Sequence, residues 1–495
     1  MLLGIDIGTT NMKAGVFALD GNQVAVASRP TPVHTHAEGF ACYDPEEIWQ
    51  TVLSAMEEVL EQAGRPTVAS IGITSMAEAG LLVDRTSGAP RSLFLPWYET
   101  CSAPQAERIK QEADLYERFT LSGLHLSFKH GLPKLLWLKE RDASSFDNAV
   151  WLSASGYIAY RLTGQFAFDY SLAARTYAFR IDTKEWDDAW IRHFGIDPAI
   201  FPEATPAGTT AGTVQAGVGS LQPGTPVGIS GHDHVCAALS VGAIQPGVVY
   251  DSMGTAETLV GTFRERPLGR REYESGLSYG CHVAPGHYFW MGGNSASGGS
   301  VEWWRSQLGD EPVRYEELLR WLDEGDAQPS GILYYPYLSG SGAPIPDARA
   351  RAALIGFTKQ HSRRDLIQAV LEGTAYQLEA IRREAEEIGG TPIRQLIVVG
   401  GGTRNPHWLR VKADIVNCEL HVPPVEEATM LGAALTAAAG AGVYSSIEEA
   451  GAAIAGAQSK QIQPDRERHE QYRRLYEEGY AALQPALRQF YGQFA

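Results

Sequence analysis

The chain has 495 residues, too many for one hydrophobic core, so two or three domains are expected. Its net charge of −17 argues against a nucleic-acid or anionic-membrane partner, because an acidic surface neutralises neither. No apolar run reaches the ~18 residues of a membrane span, and "MLLGIDIGTT" has no basic segment ahead of an apolar core, so it reads as a strand and not a signal peptide. Five scattered cysteines with no CxxC pair suit a reducing, cytoplasmic setting better than a disulfide frame or a zinc site.

Residues 2–7 and 14–19 are apolar, and the link "GTTNMK" makes them a hairpin. "QVAVASRP" follows as a third strand. Asp44 suits an N-cap and Pro45 the first helical position; Ile48, Val52, Met56 and Leu60 recur at helical spacing, and Gly64 closes the helix. "SIGITSM" and "GLLVD" read as strands. Residues 104–142 read as helical, as does "WLSASGYIAYRLTG". At 247–263, "GVVYDSMGTAETLVGTF" repeats the logic of "LLGIDIGTTNMKAGVF": strand, acidic residue, Gly-Thr turn, strand. The echo predicts a duplicated α/β domain with a cleft between the copies and a boundary near 240–247. "IRQLIVVGGGTRNPHWLRVKADIVN" reads as strand, triple-glycine turn and helix. From about 445 onward, helical runs are expected to pack on the second domain.

Three turns suit phosphate or nucleotide. In "DIGTTNMK", Asp6 ends a strand; backbone N–H groups at Gly8, Thr9 and Thr10 form a donor nest, Lys13 adds a point charge, and Asp6 suits Mg²⁺. Gly254 and Thr255 in "DSMGTAE" form the second turn. In "VVGGGTRNPHW", Gly401 and Gly402 permit close backbone approach, and Asn405 is placed to bond a base or ribose. The first two are equally compatible with plain hairpin turns, and the third with a tight strand-to-helix turn. No GxxxxGK[ST] occurs, so ATP, if used, is not held by a P-loop.

"ISGHDHVC" places Asp233 between His232 and His234 at a strand end. Three readings stand: a metal site, a buried carboxylate capping the next helix, or a general base accepting a hydroxyl proton in phosphoryl transfer. In an extended segment the two histidines share a face that Asp233 does not, which disfavours the metal. Glu78 in "TSMAEAG", with Trp97 and Tyr98 in "LPWYETC", suits the walls of a polyol pocket, or equally a loop carboxylate and core aromatics.

Taken in order, "GIDIGTTNMKAGVF", "IGITSMAEAGLLVD", "LPKLLWLKERD", "YRLTGQFAFDYSLAARTYAF", "GISGHDHVCAALSVGAI", "DSMGTAETL", "GGNSASGGSVEWWR", "YYPYLSGSGAPIPDARARAALIGF" and "VVGGGTRNPHWLRVKADIVN" resemble the FGGY carbohydrate kinases nearly end to end. The resemblance implies an α/β fold of two actin-like, ribonuclease H-like domains, 1–243 and 244–495, with ATP, Mg²⁺ and sugar in the cleft between them. It implies Asp233 as catalytic base and Asp6, with Asp233, at the metal. It places Gly8, Thr9, Thr10, Lys13, Gly254, Thr255, Gly298, Gly401, Gly402 and Asn405 at the nucleotide, and Ala77, Glu78, Trp97, Tyr98 and His234 at the acceptor. Departures fall on the acceptor side. Ala77-Glu78 stands where xylulokinase-like members carry Met-His and glycerol kinase Arg-Glu; "WYETCS" lacks the Asp and Arg common after the tryptophan; Ser155 replaces a common Asp. The expected activity is ATP-dependent phosphorylation of a small sugar or polyol, a ketopentose first, with an actin-fold ATPase or binding module as the alternative. A homodimer is a possible assembly.

Overall fold

The computed structural model describes residues 1–325, 328–452 and 459–494. Two mixed sheets organise it. The first contains β1 (Leu2–Ile7), β2 (Asn11–Phe17), β3 (Gln23–Pro30), β4 (Ser70–Ser75), β5 (Thr210–Thr213) and β6 (Pro226–His232), in the order β5-β6-β4-β1-β2-β3. β1, β2 and β3 are antiparallel neighbours, whereas β1, β4 and β6 run parallel. The second contains β7 (Val248–Met253), β8 (Glu257–Arg264), β9 (Ser278–Cys281), β10 (His287–Asn294), β11 (Gln395–Val399), β12 (Glu419–Val422) and β13 (Lys460–Ile462), in the order β9-β10-β8-β7-β11-β12-β13. Here too a hairpin and a third antiparallel strand lie on one side of the first strand, with parallel strands on the other. The short echo between the two Gly-Thr hairpins is therefore a repeated topology.

The parallel step from β3 to β4 is carried by α1 (Pro45–Gln62). It starts where expected: Asp44 Oδ1 accepts from the backbone N–H of Glu46 and Glu47 at 2.8 and 3.0 Å, and Ile48, Val52, Met56 and Leu60 are buried. Three local expectations shift. β2 begins at Asn11, not at 14, because it pairs residue by residue with β1 as far as Ile7↔Met12, leaving only three residues in the turn. The run 104–142 is three helices, broken where Asp114 caps Leu115–Ser122 and where Gly123 turns left-handed at φ 73°. In "WLSASGYIAYRLTG" the first three residues end the strand Ala149–Ser153, and Ser153 Oγ caps the helix Ala154–Thr163. In the tail, Tyr472, Tyr476 and Tyr480 set their rings 6.3, 6.1 and 5.3 Å from Tyr376 of the long helix Arg363–Gly389. The part of that expected helical tail at 453–458 lies outside the described residues.

Two helices cross between the sheets. Asp233–Ser240 follows β6, yet its Val235, Cys236 and Leu239 cluster with Tyr250, Val260 and Ile397 of the second sheet. Ala428–Gly440 follows the second sheet, yet its Met430 and Leu431 cluster with Leu2 and Phe17 of the first. Ser230 Oγ donates to Ala433 O at 2.7 Å. A Cβ on Gly432 would fall 1.9 Å from Cys236 O, so only glycine lets these helices touch backbone to backbone. Among the described residues no helix is long and apolar enough to cross a membrane.

Candidate active site

Parallel strands deliver side chains to the carboxyl edge of a sheet, and the first sheet delivers two carboxylates there. Asp6 lies near the end of β1, and Asp233 is the first residue after β6, with β4 between them. Burial, the charge of Asp233 and that of Glu427 push the Asp6 carboxyl up to about 8 against the pull of Lys13. Asp6 Oδ1 is buried and has no hydrogen-bond partner. An orphaned carboxylate oxygen beside a second carboxylate fits an oxygen-seeking divalent cation. Burial alone would raise Asp233 as well, but His234 and His232 bring it down to about 2. The backbone N–H of His234 donates to Asp233 Oδ1 at 2.7 Å, and His232 Nδ1 lies 3.1 Å from the same oxygen. Gly231 makes the turn, at φ 111°, where a Cβ would strike Ser171 Oγ at 2.5 Å. No group of three or more His, Cys, Asp or Glu among the described residues is arranged to hold a metal ion.

The first Gly-Thr turn is short and braced. Gly8 N–H donates to Asn11 O at 3.1 Å, and Thr31 Oγ1 donates to Gly8 O at 2.8 Å. Thr10 is exposed, while Thr9 Oγ1 accepts from Trp97 Nε1 at 2.8 Å, tying the aromatic wall to this turn. Lys13 Nζ is held by both carboxylate oxygens of Glu427, at 2.9 and 2.8 Å. The second turn is clasped by the start of the helix Gly298–Gln307: Gly298 N–H donates to Gly254 O at 3.1 Å, and the N–H groups of Ser297 and Gly299 both donate to Thr255 O at 3.0 Å. A Cβ on Gly298 would lie 2.5 Å from Gly254 O. The triple-glycine turn packs against the same strand end, since a Cβ on Gly400 would meet Met253 O at 2.6 Å and one on Gly402 would meet Met253 Cβ at 2.9 Å. Gly254, Thr255, Gly298, Gly401 and Gly402 thus share one edge. Asn405 Oδ1 caps the next helix by accepting from His407 and Trp408 N–H, both at 3.1 Å, which leaves only its buried, unpartnered Nδ2 for another bond.

The residues expected at the acceptor stand among others that the sequence did not indicate. Glu78 sits in a left-handed conformation, φ 62°, just beyond β4. Arg175 Nε and Nη2 both donate to its Oε1, at 2.8 and 2.6 Å, and the two side chains are only 11% and 8% exposed. Burial would raise the Glu78 carboxyl, but Arg175, His130 and His232 hold it low. Fully buried Lys134 donates to Glu78 O and Pro96 O, both at 2.7 Å, and so joins the Glu78 turn to the segment carrying Trp97 and Tyr98. Lys129 Nζ stands 4.9 Å over the Trp97 ring. Ala77 is buried and brings no polar group. Ser155 is buried among Ser75 and Ser153 hydroxyls, at 3.3 and 3.2 Å. Arg175, Lys129 and Lys134 were missed in the sequence. The quoted "SLAARTYAF" and "LPKLLWLKERD" contain two of them, but nothing in their spacing relates a cation to a glutamate 97 residues away.

Residues 1–240 match the N-terminal domain, and residues 249–441 the C-terminal domain, of the FGGY family of carbohydrate kinases. The chain belongs to that family. It is 28% identical over 463 residues to the xylulose kinase of Bacillus subtilis (strain 168), covering 90% of each chain. It is 30% identical over 492 residues to the glycerol kinase of Citrifermentans bemidjiense, covering 96% of each. The crystal structure of xylulose kinase from Rhodospirillum rubrum superposes with a TM-score of 0.90 at 25% identity, covering 99% of each chain. The family membership makes this an ATP-dependent carbohydrate kinase, a phosphotransferase with an alcohol group as acceptor. The alternative of an actin-fold ATPase without kinase activity falls with it.

Proposed function

We propose that this FGGY kinase transfers the γ-phosphoryl group of ATP to a hydroxyl of a ketopentose, with Asp233 as the general base. The supporting observation is the placement of Asp233, whose carboxyl is brought down to about 2 and keeps 24% of its side-chain surface open, at the sheet edge it shares with Asp6. An ionised carboxylate there accepts a hydrogen bond from the acceptor hydroxyl and fixes its oxygen for in-line attack. As the new P–O bond forms and the bond from the γ-phosphorus to the bridging oxygen of ADP breaks, the hydroxyl proton passes to Asp233. So weak a base takes the proton late, which suits a loose transition state in which the nucleophile carries little positive charge until bonding is advanced.

Mg²⁺ fits at Asp6 and Asp233, where it would offset phosphate charge when bound with the nucleotide. The backbone N–H groups of Thr9, Thr10 and Thr255 serve phosphate oxygens, with Lys13 shared between phosphate and Glu427; those of Gly8 and Gly254, expected to do so, are taken up inside their turns by Asn11 O and Ala256 O, so these two glycines shape the turns instead. Gly298, Gly401, Gly402 and the free Nδ2 of Asn405 line the adenosine side. Glu78, Trp97, Tyr98 and His234 line the acceptor side, with Ala77 leaving room beside Glu78. Asp233→Asn is expected to lower kcat by about 10²–10⁴-fold while ADP binding stays near wild type. A coupled ADP assay and calorimetry measure the two, and near-normal turnover in the variant would overturn the assignment. A panel of ketoses, polyols and aldonates in the same assay tests the ketopentose.

A further inference from the structure

Beside Glu78 the acceptor wall carries two cations whose hydrogen-bonding capacity the protein does not use up. Arg175 reaches Glu78 through Nε and Nη2, and both bonds fall on one oxygen, Oε1. Its third nitrogen, Nη1, is buried with no partner. Lys129 forms no ion pair among the described residues; its ammonium rests on the Trp97 ring at 4.9 Å. Burial lowers the Lys129 ammonium, Glu78 draws it up and Arg175 pushes it down, so the three charged groups feel one another. Lys134 joins the Glu78 turn to Pro96, next to Trp97, so Arg175 on Glu78 and Lys129 on the Trp97 ring belong to one wall. The ring under Lys129 is fixed by its bond to Thr9 of the first turn, so Lys129 and the phosphate edge hold a set relation.

Guanidinium and ammonium groups donate hydrogen bonds and accept none. A buried donor left without an acceptor costs about 1–3 kcal/mol, so whatever enters beside Arg175 Nη1 is favoured for bringing an acceptor. A hydroxyl accepts there only if its own hydrogen is turned away from two sets of donor hydrogens and finds another partner. A carbonyl or carboxylate oxygen carries no hydrogen and meets both donors directly.

We propose that Arg175 and Lys129 are specificity-determining residues that hold the acceptor and select an oxygen that only accepts hydrogen bonds, the carbonyl of a ketose or the carboxylate of an aldonate, over the hydroxyl of a polyol. This rests on the acceptor site of the proposed function and assigns its selectivity to residues that reading does not use. The family resemblance points equally to sugar and polyol kinases; the donor array separates them.

The test is calorimetric binding to the full-length enzyme with ADP present, using a ketopentose, the aldonate of the same chain length, the matching pentitol and glycerol. At least one carbonyl-bearing ligand is expected to bind about tenfold or more tightly than the pentitol, and the pair of them identifies which carbonyl is read. Lys129→Met is expected to narrow that ratio to about threefold or less, and Arg175→Lys to narrow it while keeping a charge beside Glu78. Melting temperature and ADP affinity report whether each variant remains folded. Equal or tighter binding of the pentitol, no binding of any of the four, or an unchanged ratio in both folded variants overturns the assignment. A preserved binding preference without turnover would instead overturn the proposed ketopentose acceptor, because the coupled assay measures that separately.

Discussion

Asp6 and Asp233 stand at the ends of parallel strands in one sheet, and their carboxyls move in opposite directions, to about 8 and about 2. Burial acts to raise both; what separates them is partners, since Asp233 has two imidazoles and a backbone N–H while Asp6 Oδ1 has none. A third carboxylate bears on Asp233 from behind. Asp169 Oδ2 accepts from Ser171 Oγ at 2.6 Å, and that hydroxyl accepts from the backbone N–H of His232 at 2.9 Å, so Asp169 helps set the strand end that presents the proposed base. Burial pushes Asp169 up to about 6. The unfolded carboxyl therefore releases its proton first, and the folded state is disfavoured progressively as pH rises from about 4 to about 6, with no further change above. Asp169→Asn lacks this dependence. Its destabilisation relative to wild type is expected to be about 2 kcal/mol smaller at pH 7 than at pH 4, measured by urea unfolding at both. A constant difference across that range would show that Asp169 does not titrate there. At this scale the sequence was legible where a residue's place follows from its own backbone position, as with Asp233 at the strand end in "GHDH". It was silent on Arg175 and Glu78, which meet only in space.

The turn between β7 and β8 depends on an ion cluster beneath it. Lys412, fully buried on the helix Pro406–Val416, donates to Asp251 Oδ2 at 2.6 Å and also to Glu257 Oε1. Glu257 Oε2 accepts from Ser297 Oγ at 2.5 Å, and Ser297 begins the helix that clasps Gly254 and Thr255. One cation thus links the strand before the turn, the strand after it and the clasp. Burial raises Asp251, and Lys412 opposes that rise. Lys412→Met leaves two buried carboxylates without their cation. It is expected to cost about 3–5 kcal/mol in urea unfolding and to raise the KM for ATP more than that for the acceptor. A cost within that of an ordinary surface change would mean the cluster is replaceable. The Gly-Thr hairpins themselves could be read from a local pattern of strand, acid, Gly-Thr and strand. The brace could not, because Lys412 looks like one more polar residue on an amphipathic helix and its partners lie 161 and 155 residues away.

At the scale of the molecule, the helices Asp233–Ser240 and Ala428–Gly440 lie between the sheets, and each packs on the sheet that the other follows. Ser240 Oγ donates to Ala428 O at 2.7 Å, and the crossing is made at Gly432. Because Asp233 is the first residue of one helix and Glu427, the partner of Lys13, immediately precedes the other, a shift at the crossing moves Asp233 and the Lys13–Glu427 pair together. Gly432→Ala places a methyl 1.9 Å from Cys236 O, a clash that only a helix shift relieves. It is expected to cost about 1–3 kcal/mol in thermal unfolding and to lower kcat/KM for ATP and acceptor together. Wild-type stability in this variant would mean the helices part freely.

The sequence by itself determined the two hairpins, the Gly-rich turn, the capped α1 and the candidate base, because each follows from neighbours within a few residues: caps, glycines and the alternation of apolar side chains. It also carried the family resemblance, since the order of those local motifs survives at 28–30% identity to relatives. Only the tertiary structure decided that Asp6 is orphaned while Asp233 is not, that Lys13 is shared with Glu427 and Asn405 with its helix, and that Arg175 and Lys129 stand beside Glu78. Those are matters of burial and charge between residues distant in the chain, and the field at a carboxylate is summed over space, not over sequence.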